Sequence, residues 1–159
     1  DIVSNLNPEK KFKLLVIGDG PYLNHIKEKA DILNLRKSID FIGFKENPYK
    51  YLSKCDIYLS TSIFEGLGNS IVEALHFGLE VVSYNSPGGI PEVLNNGDYG
   101  KLIEYGDIDK FSDHLNSNLL KKNEKQHKDK LLRKHLLLFN SNLVSQKFVK
   151  LIQEVINGK

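Results

Sequence analysis

Short apolar runs alternate with stretches of helical spacing through roughly the first two thirds of the chain. Residues 13–17 (KLLVI) form a largely apolar run that stops at Gly18, as a buried strand does. Pro21 suits a helix start, and residues 22–33 carry apolar positions at helical spacing. Residues 39–42 predict a second strand, closed by Gly43. Residues 48–53 predict a short helix and residues 57–60 a third strand. Residues 69–77 predict a helix with Asn69 or Ser70 as its cap and Gly78 at its end. A fourth strand over 81–84, a helical turn over 90–95 and a fifth strand over 100–103 complete the series. Alternation of this kind predicts an α/β fold, a Rossmann-like parallel sheet with helices on both faces.

After Asp107 the pattern is wholly helical. Asp107 is placed to cap a helix reaching Leu120, residues 124–139 predict a second helix, and Ser141 opens a third that runs to Ile156. The expected organisation is a single domain, with an α/β core over residues 1–106 and C-terminal helices over 107–159. Lys121, Lys122, Lys125, Lys128, Lys130, Arg133 and Lys134 form a basic stretch beside Leu131, Leu132 and residues 136–138. It could touch an anionic membrane surface, but a solvated helix face, whose charge Glu124 and Asp129 soften, is the favoured reading.

Composition narrows this picture. A chain of 159 residues, 40% hydrophobic and 26% charged, can bury the core of one soluble domain. A net charge of +2 is too small to imply nucleic acid as a partner. The single Cys55 excludes an internal disulfide and suggests a reducing compartment. No apolar run reaches the ~18 residues of a membrane span, and no secretory signal opens the chain. Because the sequence contains no Met, Asp1 is not read as a translation start; the expectation is a piece of a longer protein.

In open parallel sheets, ligands bind beyond the carboxyl ends of the strands. Gly18-Asp19-Gly20-Pro21 follows the first predicted strand, Gly43-Phe44-Lys45 the second, Thr61-Ser62-Ile63-Phe64-Glu65 the third and Asn85-Ser86-Pro87-Gly88-Gly89 the fourth. Gly18-Asp19-Gly20 does not open a dinucleotide fingerprint: Leu23 stands where the third glycine belongs, and Asp40 does not end its strand. The segment from Glu65 through Gly66, Leu67, Gly68, Asn69, Ser70, Ile71 and Val72 to Glu73 is richer. Two carboxylates bracket a glycine-rich turn and a helix start, an arrangement that can offer a carboxylate to a sugar, amides to a diphosphate and a carboxylate to ribose hydroxyls. By spacing alone, Glu73 is equally a surface or capping residue and Glu65 a loop carboxylate. Ser62, Cys55 and the histidines show no nucleophile signature; His76 reads as partly buried or structural, and His114, His127 and His135 as members of the polar tail. No His/Cys cluster has metal-ligand spacing.

From about Lys13 to Asp107 these residues resemble, in order, the C-terminal donor-binding half of retaining GT-B glycosyltransferases of family 4. The resemblance rests on Gly-Asp-Gly-Pro, Asp40-Phe41-Ile42-Gly43-Phe44, Asp56 to Ser62, Glu65-Gly66-Leu67-Gly68, Glu73-Ala74-Leu75, Gly78 and Pro87-Gly88-Gly89-Ile90-Pro91-Glu92. The surroundings of Asn69 and of residues 87–92 are similar to bacterial enzymes that build O-antigens, capsules and lipid-linked oligosaccharides. The resemblance implies that Glu73 holds the donor ribose and that Glu65, the candidate catalytic residue, contacts the hexose without acting as a covalent nucleophile. It implies that Gly66, Leu67, Gly68, Asn69, Ser70 and Ile71 hold sugar and diphosphate. Gly18 and Gly20 would lie near the nucleotide, and Phe44 and Lys45 near the base. The implied co-substrate is a nucleotide sugar, UDP-linked, with no metal or other cofactor. The implied acceptor is a polyprenyl-diphosphate-linked saccharide at the cytoplasmic face of the membrane.

The family's upstream Arg and Lys, its first strand in this domain and its N-terminal acceptor domain have no counterpart here, and Glu80 stands where Pro is common. The chain alone is therefore expected to bind donor without catalysing transfer. Two other readings share these residues: a nucleotide-sugar epimerase on the GT-B scaffold, and a non-catalytic nucleotide-sugar or membrane-docking module.

Overall fold

The computed structural model describes residues 1–119 and 130–157. Among these, residues 1–55 and 106–119 form one unit, and residues 56–105 and 130–157 another.

The first unit holds two parallel strands, β1 (Leu14–Ile17) and β2 (Ile39–Gly43), joined by helix α1 (Leu23–Ile32). Leu14 pairs with Ile39 and Val16 with Phe41; a register shift then sets Ile17 against Gly43. A parallel pair needs such a crossover, because the chain must return to the end where it began. Asn34 ends α1 in a left-handed conformation (φ 56°), and Leu35 N–H closes back on the Ala30 carbonyl at 2.8 Å. A short helix, α2 (Tyr49–Leu52), follows β2. The 3₁₀ turn Ile2–Asn5, which no sequence pattern announced, is held against helix α5 (Ile108–Asn118). Ser112 Oγ donates to the Ile2 carbonyl at 3.0 Å, and Asn116 Oδ1 accepts from Asn7 N–H at 2.9 Å. Asp107 caps α5 as expected, accepting from Lys110 N–H at 3.0 Å. The Lys110 side chain, with that backbone hydrogen bond, holds the Asp107 carboxyl below its ordinary range.

The second unit contains a three-stranded parallel sheet in the order β3 (Ile57–Ser60), β4 (Glu80–Tyr84), β5 (Lys101–Ile103). The predicted strands are all present and all parallel, but their pairing falls into two sets, β1 with β2 and β3 to β5 among themselves. Val81, Val82, Ser83 and Tyr84 of the central strand are all buried, as in a parallel strand covered on both faces. Helix α3 (Asn69–His76) crosses from β3 to β4 and buries Ile71, Ala74 and Leu75, the spacing of one helix face. Gly78 ends it at φ 71°, with Leu79 N–H donating to the Ala74 carbonyl at 3.0 Å. Helix α4 (Ile90–Val93) and the turn Asn95–Gly97 lead to β5.

The C-terminal part departs from its prediction. Helix α6 (Lys130–Leu136) gives way to a 3₁₀ turn over Leu137–Phe139, so the expected helix over 124–139 ends in a tightened turn; residues 124–129 lie outside the described residues. His135, expected in a polar tail, is instead packed. Its Nε2–H donates to the Val93 carbonyl at 2.9 Å, and its ring lies 4.9 Å from Tyr99 and 5.3 Å from Phe139. A carbonyl only accepts, so this contact fixes the tautomer. Asn140 caps helix α7 (Ser141–Ile156), accepting from Asn142 and Leu143 N–H. None of the α7 side chains is buried, and Val144, Phe148, Leu151, Ile152 and Val155 lie exposed.

The chains leaving β3 and β4 stay tied beyond the ladder. Glu65 N–H donates to the Pro87 carbonyl at 3.3 Å and Gly89 N–H to the Glu65 carbonyl at 3.0 Å, a parallel bridge between Glu65 and Gly88. Gly88 adopts φ +112°, and a Cβ there would stand 1.8 Å from the Glu65 carbonyl oxygen; one on Gly89 would stand 2.6 Å from that of Gly66. Gly88→Ala is expected to cost at least about 2 kcal/mol, since it combines a forbidden contact with a strained φ. Urea unfolding that shows an unchanged midpoint would refute the close approach. His135→Ala, which removes a hydrogen bond and two ring contacts, is expected to cost about 2 kcal/mol by the same measurement, and His135→Phe about half of that.

Candidate functional site

Each unit presents its glycine-bearing loops at the carboxyl ends of its own strands. In the second unit, β3 delivers Thr61 and Ser62, and the chain turns at Glu65, which is half-buried. Ser62 Oγ donates to Glu65 Oε1 at 2.9 Å. The Ser62 carbonyl in turn accepts from the hydroxyl of Ser86, a fully buried residue two positions after β4. Gly66 and Leu67 are exposed, as are Ile63 and Phe64 beside them.

Helix α3 begins differently from its prediction. Asn69 and Ser70 are its first residues, not its cap. The cap is Gly68, in the left-handed conformation (φ 76°, ψ 50°), with no side chain closing the end. Glycine takes that conformation without the Cβ penalty that other residues meet, so position outweighs capping propensity. Ile71 and Val72 N–H return to the Gly68 carbonyl at 2.8 and 3.2 Å. The amides of Asn69 and Ser70 therefore head the helix at an exposed end, where the helix carries its partial positive charge. Glu73 sits one turn further on, half-buried.

Tyr58 of β3 was not anticipated. Its phenol is hydrogen-bonded to the Ser70 side chain and lies within electrostatic reach of both Glu65 and Glu73. Burial pushes the phenol's pKa up; the Ser70 hydrogen bond opposes this, and the two carboxylates add to it. The phenol is thus neutral at physiological pH, and it marks Glu65, Ser70 and Glu73 as neighbours around the start of α3. The only sequence signal for it was the two-residue period that puts Tyr58 and Ser60 on one face of β3. Ser86, Gly88 and Gly89 were legible as a loop but not as the brace of Glu65.

In the first unit, Gly18 (φ 130°) donates its N–H to the Gly43 carbonyl at 3.0 Å, which joins the ends of β1 and β2. Asp19 Oδ1 accepts from Gly20 N–H at 2.8 Å. Among the described residues, no atom beyond the chain neighbours lies within 4 Å of the place a Cβ would occupy on Gly18, Gly20 or Gly66. Phe44 is 71% exposed. With Lys45, Glu46, Asn47 and Lys50 it lines an open depression of about 350 Å³. Asp40, rejected as a ribose ligand, lies near the start of β2 and pairs with Lys13 at 3.0 Å. His76, expected to be partly buried or structural, is exposed, with its ring edge-on to Phe77. Among the described residues no group of three or more His, Cys, Asp or Glu is arranged to hold a metal ion.

The galactosyltransferase of Escherichia coli named UDP-Gal:alpha-D-GlcNAc-diphosphoundecaprenol alpha-1,3-galactosyltransferase is 33% identical over 115 residues, 72% of this chain and 29% of its own. The N-acetylgalactosamine-N,N'-diacetylbacillosaminyl-diphospho-undecaprenol 4-alpha-N-acetylgalactosaminyltransferase of Campylobacter jejuni is 33% identical over 92 residues, 58% of this chain and 25% of its own. The chain thus spans between a quarter and a third of the length of these curated relatives. The crystal structure of Anabaena HepE in complex with UDP superposes with a TM-score of 0.83 at 20% identity, over 97% of this chain and 43% of that one, which shows a shared GT-B fold. The sequence profile of the glycosyl transferases group 1 matches residues 2–135, a span that contains every loop described above, and the chain belongs to that family.

Proposed function

We propose that this chain is the donor-binding half of a retaining glycosyltransferase of family 4. The whole enzyme would move a hexose or N-acetylhexosamine from a UDP-sugar to a lipid-linked saccharide in surface polysaccharide synthesis. The observation that carries the reading is the open start of α3 with Glu65 before it, Glu73 one turn inside it and Tyr58 within electrostatic reach of both. A helix end without a side-chain cap offers backbone amides and a partial positive charge to a diphosphate. Glu73 is placed to accept hydrogen bonds from vicinal ribose hydroxyls, and Glu65, at the turn, from the hexose. Gly66, Leu67, Gly68 and Asn69 let the backbone approach the sugar and phosphates; Ser70 and Ile71 continue the helix start. Gly18 and Gly20 are assigned to the nucleotide, and Phe44 and Lys45 to its base.

In transfer, the bond from the anomeric carbon to the diphosphate oxygen breaks and negative charge grows on the leaving diphosphate. The amides at the start of α3 are fixed in advance where that charge develops, so they stabilise the transition state more than the ground state. The acceptor hydroxyl would attack from the face the diphosphate leaves, which retains the anomeric configuration. No covalent bond to Glu65 is required. No metal is assigned to the site; the helix end takes that electrostatic role.

The relatives named above carry undecaprenol-diphosphate acceptors in their names, which supports a lipid-linked acceptor and a place at the inner face of the membrane. No helix among the described residues is long and apolar enough to cross a membrane; the contact proposed for this chain is a peripheral one. Lys130, Arg133 and Lys134 with exposed Leu131 suit it; the remaining lysines of that stretch lie outside the described residues. The exposed apolar side of α7 suits burial against the acceptor domain of the whole enzyme.

Calorimetric titration with UDP, GDP and UDP-sugars tests this function. UDP is expected to bind, GDP more weakly. Glu73→Ala is expected to weaken UDP about tenfold, the effect of losing a carboxylate that accepts from hydroxyls. The chain alone is expected to show no transfer. Absence of nucleotide binding, or UDP affinity indifferent to Glu73→Ala, would overturn the donor-site reading, and sustained turnover would overturn the expectation of a half-site.

A further inference from the structure

We propose that Ser62 is a positioning residue for the Glu65 carboxylate, and that it sets the oxygen that meets the donor's sugar; this rests on the assignment of Glu65 to the hexose. The backbone of Glu65 is already fixed on both sides, its N–H on the Pro87 carbonyl and its carbonyl on Gly89 N–H. What remains free is the side chain, whose three torsions would otherwise let the carboxylate sweep over several ångströms. The Ser62 hydroxyl removes that freedom by donating to Oε1 at 2.9 Å. Among the described residues Oε2 takes no hydrogen bond and is left to a ligand.

Ser62 is itself anchored. Its carbonyl accepts from Ser86 Oγ, and Ser86 is only 1% exposed. Ser62 follows β3 and Ser86 follows β4, two strands paired in parallel from Ile57 to Ser60. The relay Ser86 to Ser62 to Glu65 therefore starts at a buried serine just beyond the end of the sheet and ends on a single carboxylate oxygen. Support built this way holds a functional group more closely than the loop carrying it can. A carboxylate aimed in advance loses less side-chain freedom when the sugar arrives.

The test separates aiming from folding by comparing UDP-sugars with UDP, which lacks the sugar. Wild type, Ser62→Ala, Ser62→Thr and Glu65→Ala are titrated with UDP and with UDP-glucose, UDP-galactose, UDP-N-acetylglucosamine and UDP-N-acetylgalactosamine. Thermal melts confirm that each variant is folded. The readout is the ratio of UDP-sugar affinity to UDP affinity for the sugar that wild type prefers. Glu65→Ala is expected to lower the ratio about tenfold and Ser62→Ala about fivefold. UDP affinity should stay within about twofold throughout, and Ser62→Thr should restore the ratio because it keeps the hydroxyl. A ratio lowered by Glu65→Ala but not by Ser62→Ala overturns this inference alone. Equal losses of UDP and UDP-sugar in Ser62→Ala, or no recovery in Ser62→Thr, reduce Ser62 to a structural residue and overturn it too. A ratio unmoved by Glu65→Ala, or a wild type that binds none of these ligands, overturns the assignment of Glu65 and the inference with it.

Discussion

The candidate site of the second unit depends on one backbone contact, the bridge between Glu65 and Gly88. The β3–β4 ladder runs to the pair Ser60 and Ser83, and after loops of equal length the two chains meet again at Glu65 and Gly88. The sheet register is thus carried past the strands into the loops. The approach is closer than any side chain allows, because a Cβ on Gly88 would overlap the Glu65 carbonyl oxygen at 1.8 Å. A loop is ordinarily the most mobile part of an α/β unit. Here it is held by the main-chain hydrogen bonds that Glu65 makes through its N–H and its carbonyl.

Around that fixed point the electrostatics are ordered by distance along α3. Glu65 lies ahead of the helix and Glu73 a turn inside it, so two like charges flank the end where the helix dipole is positive. The dipole favours negative charge there, whether from a carboxylate or from a bound diphosphate. Tyr58, a half-buried phenol whose pKa is pushed up by burial, adds no third charge within reach of them. Its hydrogen bond to Ser70 also engages one of the two side chains, Asn69 or Ser70, expected to cap the helix. The end of α3 is left to its backbone amides, as an anion site requires.

Much of this was legible in the sequence. The five strands were readable because each is a short apolar run bounded by glycine or polar residues, and β4 shows no alternation because both its faces are buried. Gly78 and Asp107 marked helix ends by their chemistry, and the structure uses both in that way. Other features were not legible, for physical reasons that differ. Which strands pair is a long-range matter that no local pattern states, and the division into two sheets went unseen. The α3 cap was misjudged because capping preference ranks side chains, whereas the left-handed turn at Gly68 selects for the lack of one. His135 looked like surface because its neighbours Arg133 and Lys134 are exposed. Its partners, Val93 and Tyr99, are far away in sequence. Ser62 and Ser86 are ordinary serines until the folded β3 and β4 bring them together.

The glycines separate what the fold needs from what a ligand would need. At Gly88 the protein's own atoms forbid a side chain, and at Gly68 the left-handed backbone disfavours one, so both glycines would be required of a chain that bound nothing. Gly20 and Gly66 are different. Neither has a positive φ, and among the described residues neither has an atom beyond its chain neighbours within 4 Å of a would-be Cβ, so the described structure would admit alanine at both without strain. They stand in the loops that follow β1 and β3, where a ligand of a parallel α/β unit approaches. A residue whose smallness serves nothing in the fold is accounted for when something outside the fold must come close. In the proposed function that something is the nucleotide at Gly20 and the sugar diphosphate at Gly66.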